Sequence, residues 1–152
     1  MDDVKAYLKQ VRIYDTHING KLEELARLND LAFRVTSELK PDVVSCGGGN
    51  HDKVGDAACK IVDMENEINK AIDALVALKK EISAVIDQID DPIQLKMLYL
   101  MYFGEFDADT HETNYLTLME VAVRLRTSYR NACYIHGAAL QAVAKVLERT
   151  KG

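Results

Sequence analysis

Between residues 61 and 89 every position of a 3,4 spacing is apolar: Ile61, Met64, Ile68, Ala71, Leu75, Leu78, Ile82, Val85 and Ile89. That spacing returns to one face of a helix turn after turn, and the face is hidden only against a partner helix. Ile72, Val76 and Ile86 widen the stripe, which suits a bundle better than a strict two-stranded coil. Proline stands only at 41 and 92, so nothing interrupts a helix between them except the glycine-rich stretch that follows Pro41.

The N-terminal segment carries the same repeat less cleanly. Val4, Leu8, Val11, Ile18, Leu22, Leu25, Ala32 and Leu39 sit on the seam, and Asp15, Asn29 and Thr36 interrupt it. Tyr14, Leu28 and Val35 stand beside the interruptions, and the favoured reading is that the helix rotates to use them. Between the two helical segments, "KPDVVSCGGGNHDKVGD" combines proline, a triple glycine and Asn50, a composition that favours a flexible connection. No strand precedes the glycines and no Lys-Ser/Thr follows them, so they do not form a phosphate loop. The expected architecture of residues 1–90 is an antiparallel helical hairpin with a flexible tip at 41–55.

Residues 91–152 read differently. Asp91, Pro92 and Gln94 form a strong helix start, with Ile93, Met97, Leu98, Leu100 and Met101 as an apolar surface and Gly104 beginning the exit. "GEFDADTHETNY" is acidic and aperiodic, and is expected to be a loop. Thr117 and Glu120 match a capping box before Leu118, Val121, Ala122 and Leu125. A short break then leads to Thr127 or Ser128 as the cap of a last helix, whose inner face is Ala132, Ile135, Ala139, Leu140 and Val143. Two helices joined by about three residues fit a helix-turn-helix.

Charge separates the same regions. The chain carries −5 overall, but residues 120–152 hold Arg124, Arg126, Arg130, Lys145, Arg149 and Lys151 against Glu120 and Glu148 alone. Residues 1–91 hold twelve basic against eighteen acidic side chains. A basic C-terminal part on an acidic chain points to an anionic partner for that part.

Leu98 to Phe103, then Met119-Glu120-Val121-Ala122 and Leu125, then Ser128 followed by Ala132, Ile135 and Ala139-Leu140, resemble region 4 of the sigma-70 family over about 55 residues. With the acidic hairpin in front and "YIHGAAL" near the end, the layout is similar to small phage or prophage proteins, including sigma-like regulators of late transcription. The resemblance implies an all-α chain in which a long antiparallel helical hairpin precedes a C-terminal helix-turn-helix. It also implies double-stranded DNA as a partner, with RNA polymerase or a second copy of the chain meeting the hairpin. The start of the last helix would enter the major groove, making Tyr129, Arg130, Asn131 and Tyr134 base-contact candidates. Packing is the favoured role for the two tyrosines. Arg124, Arg126, Thr127 and Ser128 are phosphate-contact candidates. Two departures stand out: Arg126 and Thr127 replace the glycine common in the turn, and the acidic 104–116 segment would repel phosphate if it lay near the docking face. A helical assembly or packaging adaptor, like a terminase small subunit, is the rival reading.

Other classes find less support. Cys46, His51, Cys59, His111, Cys133 and His136 lack two close metal-ligand pairs, so neither a metal nor another cofactor is expected. "HETNY" lacks the second His of a zinc peptidase and no nucleophile has a recognisable context, so the chain reads as a non-enzyme. His136 reads as a structural residue where helices approach closely. The N-terminus "MDDVKAYLKQ" is unlike a secretory signal and no run is apolar enough to span a bilayer, so a cytoplasmic location without membrane contact is expected.

Overall fold

A computed structural model describes the backbone of residues 2–38 and 49–152, and the side chains of 2–34 and 55–152. The described chain is mostly helical. Helices α1 (Asp2–Glu38) and α2 (Gly49–Ile86) are 37 and 38 residues long. They are followed by α3 (Pro92–Leu98), a π-helical turn (Tyr99–Phe103), strands β1 (Glu105–Asp107) and β2 (Glu112–Asn114), α4 (Leu118–Arg124) and α5 (Tyr129–Lys151). No described helix is long and apolar enough to cross a membrane.

The chain forms two compact units, Tyr14–Leu75 and Met1–Ile13 with Val76–Gly152. In the first, Ile18, Ile68 and Leu75 are buried, and Lys21 Nζ meets Glu67 Oε2 at 2.8 Å. All nine seam positions from 61 to 89 are buried or half-buried, whereas Ile72 and Val76 are exposed and only Ile86 of the widening residues is buried. On α1, Leu28 is half-buried beside the exposed Asn29, as rotation requires. At the first interruption the order is reversed, with Asp15 half-buried and Tyr14 exposed. Leu22 is exposed. Leu39 lies outside the described residues, as do the side chains of Val35 and Thr36.

Of the expected flexible tip at 41–55, residues 49–55 belong instead to α2, which begins at Gly49. Extending a packed helix adds one hydrogen bond per residue, which offsets the roughly 1 kcal/mol penalty of a glycine. Residues 41–48, including Cys46, lie outside the described residues.

The second unit is built on helix starts that the sequence marks. Asp91 caps α3, its Oδ1 accepting from the amides of Ile93 at 2.9 Å and Gln94 at 3.4 Å. Thr117 Oγ1 accepts from the Glu120 amide at 3.3 Å, and Ser128 rather than Thr127 caps α5, accepting from the Asn131 amide at 3.1 Å. Met97, Leu116, Val121, Ala122 and Ala132 form a buried cluster between α3, α4 and α5, with Leu125 and Ile135 packed against it.

The expected loop at 104–116 is instead a β-hairpin, so the chain is not purely helical. Glu105, Phe106 and Asp107 pair antiparallel with Asn114, Thr113 and Glu112. Gly104 enters it at φ 76°, ψ −172°, a conformation open to glycine almost alone. A Cβ at this position would lie 2.6 Å from the Asn114 carbonyl oxygen. The turn is closed by Asp107, whose Oδ1 accepts from the amides of Asp109 and Thr110 at 2.9 and 3.4 Å, and by His111 at φ 58°.

Candidate nucleic-acid interface

Helix α4 and helix α5 are joined by four residues, 125–128. The reversal is made at Arg126, which adopts φ 55° without being a glycine. Left-handed backbone costs an L-residue roughly 1–2 kcal/mol, and the turn is held against that cost by two amides. Arg126 N donates to Val123 O at 3.1 Å and Thr127 N to Ala122 O at 3.0 Å. Arg126 thus occupies the place where glycine is the easier residue, and its guanidinium stands exposed.

The first two turns of α5 carry the base-contact candidates. Tyr129, Arg130 and Tyr134 line a shallow cleft of about 420 Å³ together with Cys133. Tyr129 and Tyr134 are 52% and 66% exposed, which corrects the expectation that they pack. The positions that α5 buries are Ala132, Ala139, Leu140, Val143 and Val146, and a ring at 134 points away from that face, whereas Tyr129 lies on its side and is exposed at the very start of the helix. Asn131 is separated from Arg130 by the 100° step of the helix and lines a second cleft, of about 640 Å³, with Arg124, Arg126 and Thr127. Its Nδ2 donates to Thr127 Oγ1 at 2.7 Å, so the side chain is already fixed on the turn. Asn131 and Tyr134 also share the lining of a third, smaller cleft with Ile93 and Gln94.

The phosphate-contact candidates are also unequal. Ser128 is committed to capping through its Oγ. Arg124 is held by Glu105 of β1 through two bonds, Nε to Oε1 at 2.7 Å and Nη2 to Oε2 at 3.2 Å. Each group stabilises the other's charged form, so Glu105 titrates below its usual range and Arg124 above. The acidic segment therefore touches the turn region, where the sequence only raised its proximity as a condition. Two residues of this surface escape sequence reasoning. Lys96 on α3 faces the second cleft, and no motif marks it. Glu105 is one acid among several, and only the strand that carries it makes it the partner of Arg124.

Behind the surface, Tyr102 is buried, and its hydroxyl and His136 Nε2 lie 2.7 Å apart with the rings stacked at 5.9 Å. Burial pushes the Tyr102 hydroxyl up to about 12. It also lowers His136, with the nearby charges of Lys5 and Lys9 acting in the same direction. The contact between Tyr102 Oη and His136 Nε2 ties the π-helical turn to α5. This fits the structural role expected of His136. Cys59 and Cys133 are exposed free thiols.

No family model, curated protein or solved structure matches this chain, so the surface is read from its own geometry.

Proposed function

We propose that the chain is a DNA-binding transcriptional regulator of phage or prophage type, resembling sigma-70 region 4, with α4, the 125–128 turn and α5 acting as a helix-turn-helix. The observation that carries this reading is the start of α5. Four residues after α4 ends, it holds Arg130 and Tyr134 out from the core, with Asn131 fixed on Thr127 beside them. Arginine offers guanine two donors and asparagine pairs with adenine, which are the contacts a recognition helix makes in the major groove. Residues 1–90 act in this reading as an antiparallel hairpin that meets RNA polymerase or a second copy of the chain. In support, fourteen residues forward in α1, from Tyr7 to Lys21, correspond to fourteen backward in α2, from Glu81 to Glu67.

The test is enrichment from a random-duplex DNA pool at low and moderate salt, comparing the wild type with an Arg130→Ala, Asn131→Ala variant of verified helicity. The expected result is a motif that the variant loses while retaining weak, salt-sensitive binding. Absence of enrichment by the wild type at both salt concentrations refutes the reading. One observation favours the rival assembly or interaction module: Leu31 and Phe33 on α1 are 53% and 72% exposed. A large ring that persists on dilution, measured by light scattering, would select that alternative.

A further inference from the structure

The larger of the two clefts lies between α3 and the α4–α5 turn and carries three cationic side chains, Lys96, Arg124 and Arg126, with no carboxylate in its lining. Among the described residues neither Lys96 nor Arg126 makes an ion pair. Arg124 does, with Glu105, and the two bonds use two of its five N–H groups while cancelling its charge. A hydrogen-bond donor stands beside the cations. Thr127 Oγ1 accepts from Asn131, which leaves the hydroxyl proton of Thr127 to point elsewhere. Leu125 and Ile135 form apolar parts of the lining, which lower the local dielectric and strengthen attraction for an anion. The chain as a whole carries −5 and repels anions at long range, so attraction here is local.

We infer that this cleft takes one phosphate group of a DNA backbone, bound by Lys96 and Arg126 with the Thr127 hydroxyl as donor, and that Glu105 withholds the charge of Arg124 from the backbone. The inference rests on the DNA-binding reading above and adds two residues to it, a cation from α3 and a carboxylate from the β-hairpin. In this arrangement the cleft fixes the register of the turn on the duplex, and the neighbouring surface of Arg130 and Tyr134 is left to meet base edges. The β-hairpin sets how many cations the protein brings to the backbone.

The experiment is fluorescence anisotropy of the full chain with a labelled random duplex of about 20 base pairs, over salt from about 50 to 200 mM. Each neutralised phosphate contributes about 0.9 to the slope of log affinity against log salt. The Lys96→Gln, Arg126→Gln variant should therefore be shallower by about 0.9, losing about 3.5-fold less affinity than the wild type over a fourfold rise in salt. Glu105→Gln frees Arg124 for an adjacent phosphate of the backbone and should steepen the slope by about 0.9. Glu112→Gln makes the same change in net charge on the same hairpin without touching Arg124, and should steepen it less. The gain from Glu105→Gln should vanish in an Arg124→Gln background.

Wild-type binding with an unchanged slope in the Lys96/Arg126 variant overturns the cleft while leaving the DNA reading intact. Equal steepening by Glu105→Gln and Glu112→Gln overturns the role of Glu105. No binding by the wild type even at the lowest salt overturns both the DNA reading and the inference. Inorganic phosphate separates the source of the anion. The duplex should move the amide NMR signals of Thr127 and Asn131 at concentrations where phosphate does not, and saturation by phosphate first would assign the cleft to a free anion and overturn the backbone source.

Discussion

Replacing Tyr102 by Phe removes one oxygen from the interior and tests whether the contact with His136 holds the C-terminal elements together. The hydroxyl lies 2.7 Å from His136 Nε2, and without it that nitrogen loses its partner in a part-buried site. An orphaned buried polar group costs about 1–3 kcal/mol. For a chain of this length each kcal/mol lowers the melting midpoint by about 2–4 °C, so a central value of about 2 kcal/mol corresponds to a fall of about 6 °C. Thermal unfolding followed by far-UV circular dichroism measures it. A cycle with His136→Phe separates the bond from the packing. The double variant replaces both partners by apolar rings, and should lie above the sum of the single losses by about 1–2 kcal/mol. The pair also sets a pH dependence. The folded-state pKa of His136 is depressed below its ordinary 6.5, so the unfolded chain takes up the proton first. The stability it contributes is complete above 6.5 and is lost as pH falls through the lower folded value. At the other end Tyr102, raised from 10.0 to about 12, contributes stability that is complete below 10 and is lost as pH rises toward 12. Tyr102→Phe should reduce the alkaline loss, to which the raised hydroxyls of Tyr7 and Tyr99 also contribute, and His136→Phe should reduce the acid one. Additive single effects, with an acid limb unchanged in His136→Phe, would refute the argument.

Two backbone positions give further predictions. Gly104→Ala forces a side chain into φ 76° against the Asn114 carbonyl, and should lower stability by about 1–3 kcal/mol from strain alone, read as a shift of the urea midpoint with an unchanged m value. Arg126→Gly acts in the opposite direction: relief of the left-handed conformation at φ 55° outweighs the extra freedom of glycine in the unfolded chain and should stabilise by about 0.5 kcal/mol. The same substitution removes a cation from the cleft, so the variant should be more stable and bind duplex DNA less tightly.

Much of the fold is legible because helices announce themselves twice, by period and by cap. The nine seam residues from 61 to 89 are all covered, and Asp91, Thr117 and Ser128 each accept the amide bond that the cap pattern implies. The widening residues are less predictable because they depend on what else is near. The Tyr14–Leu75 unit holds only parts of two helices, which cover a seam and leave Ile72 exposed. Ile86 belongs to the unit that also contains α3, α4 and α5, and is buried there. The β-hairpin was hidden for a different reason. Each strand has three residues, too few for an alternation to register, and its turn uses an Asp side chain and a left-handed His instead of the glycine that usually marks one. The π-helical turn at Tyr99–Phe103 has no sequence signature; its geometry places the Tyr99 hydroxyl on Asp87 at 2.6 Å.

At the candidate interface, residue types were legible and their commitments were not. Sequence supplies Arg124 as a cation near the turn, but only the pairing of β1 with β2 brings Glu105 to cancel it. Asn131 is the converse case. A side-chain amide has two N–H donors and one acceptor oxygen, and the bond to Thr127 uses one donor. One donor and the oxygen remain, the complement of adenine N7 and N6 in the major groove. The contact with Thr127 therefore does not compete with the proposed base contact. It fixes the side chain beforehand, so less rotamer entropy is lost on binding, and a residue that looks merely structural by its hydrogen bond is better prepared to read a base because of it.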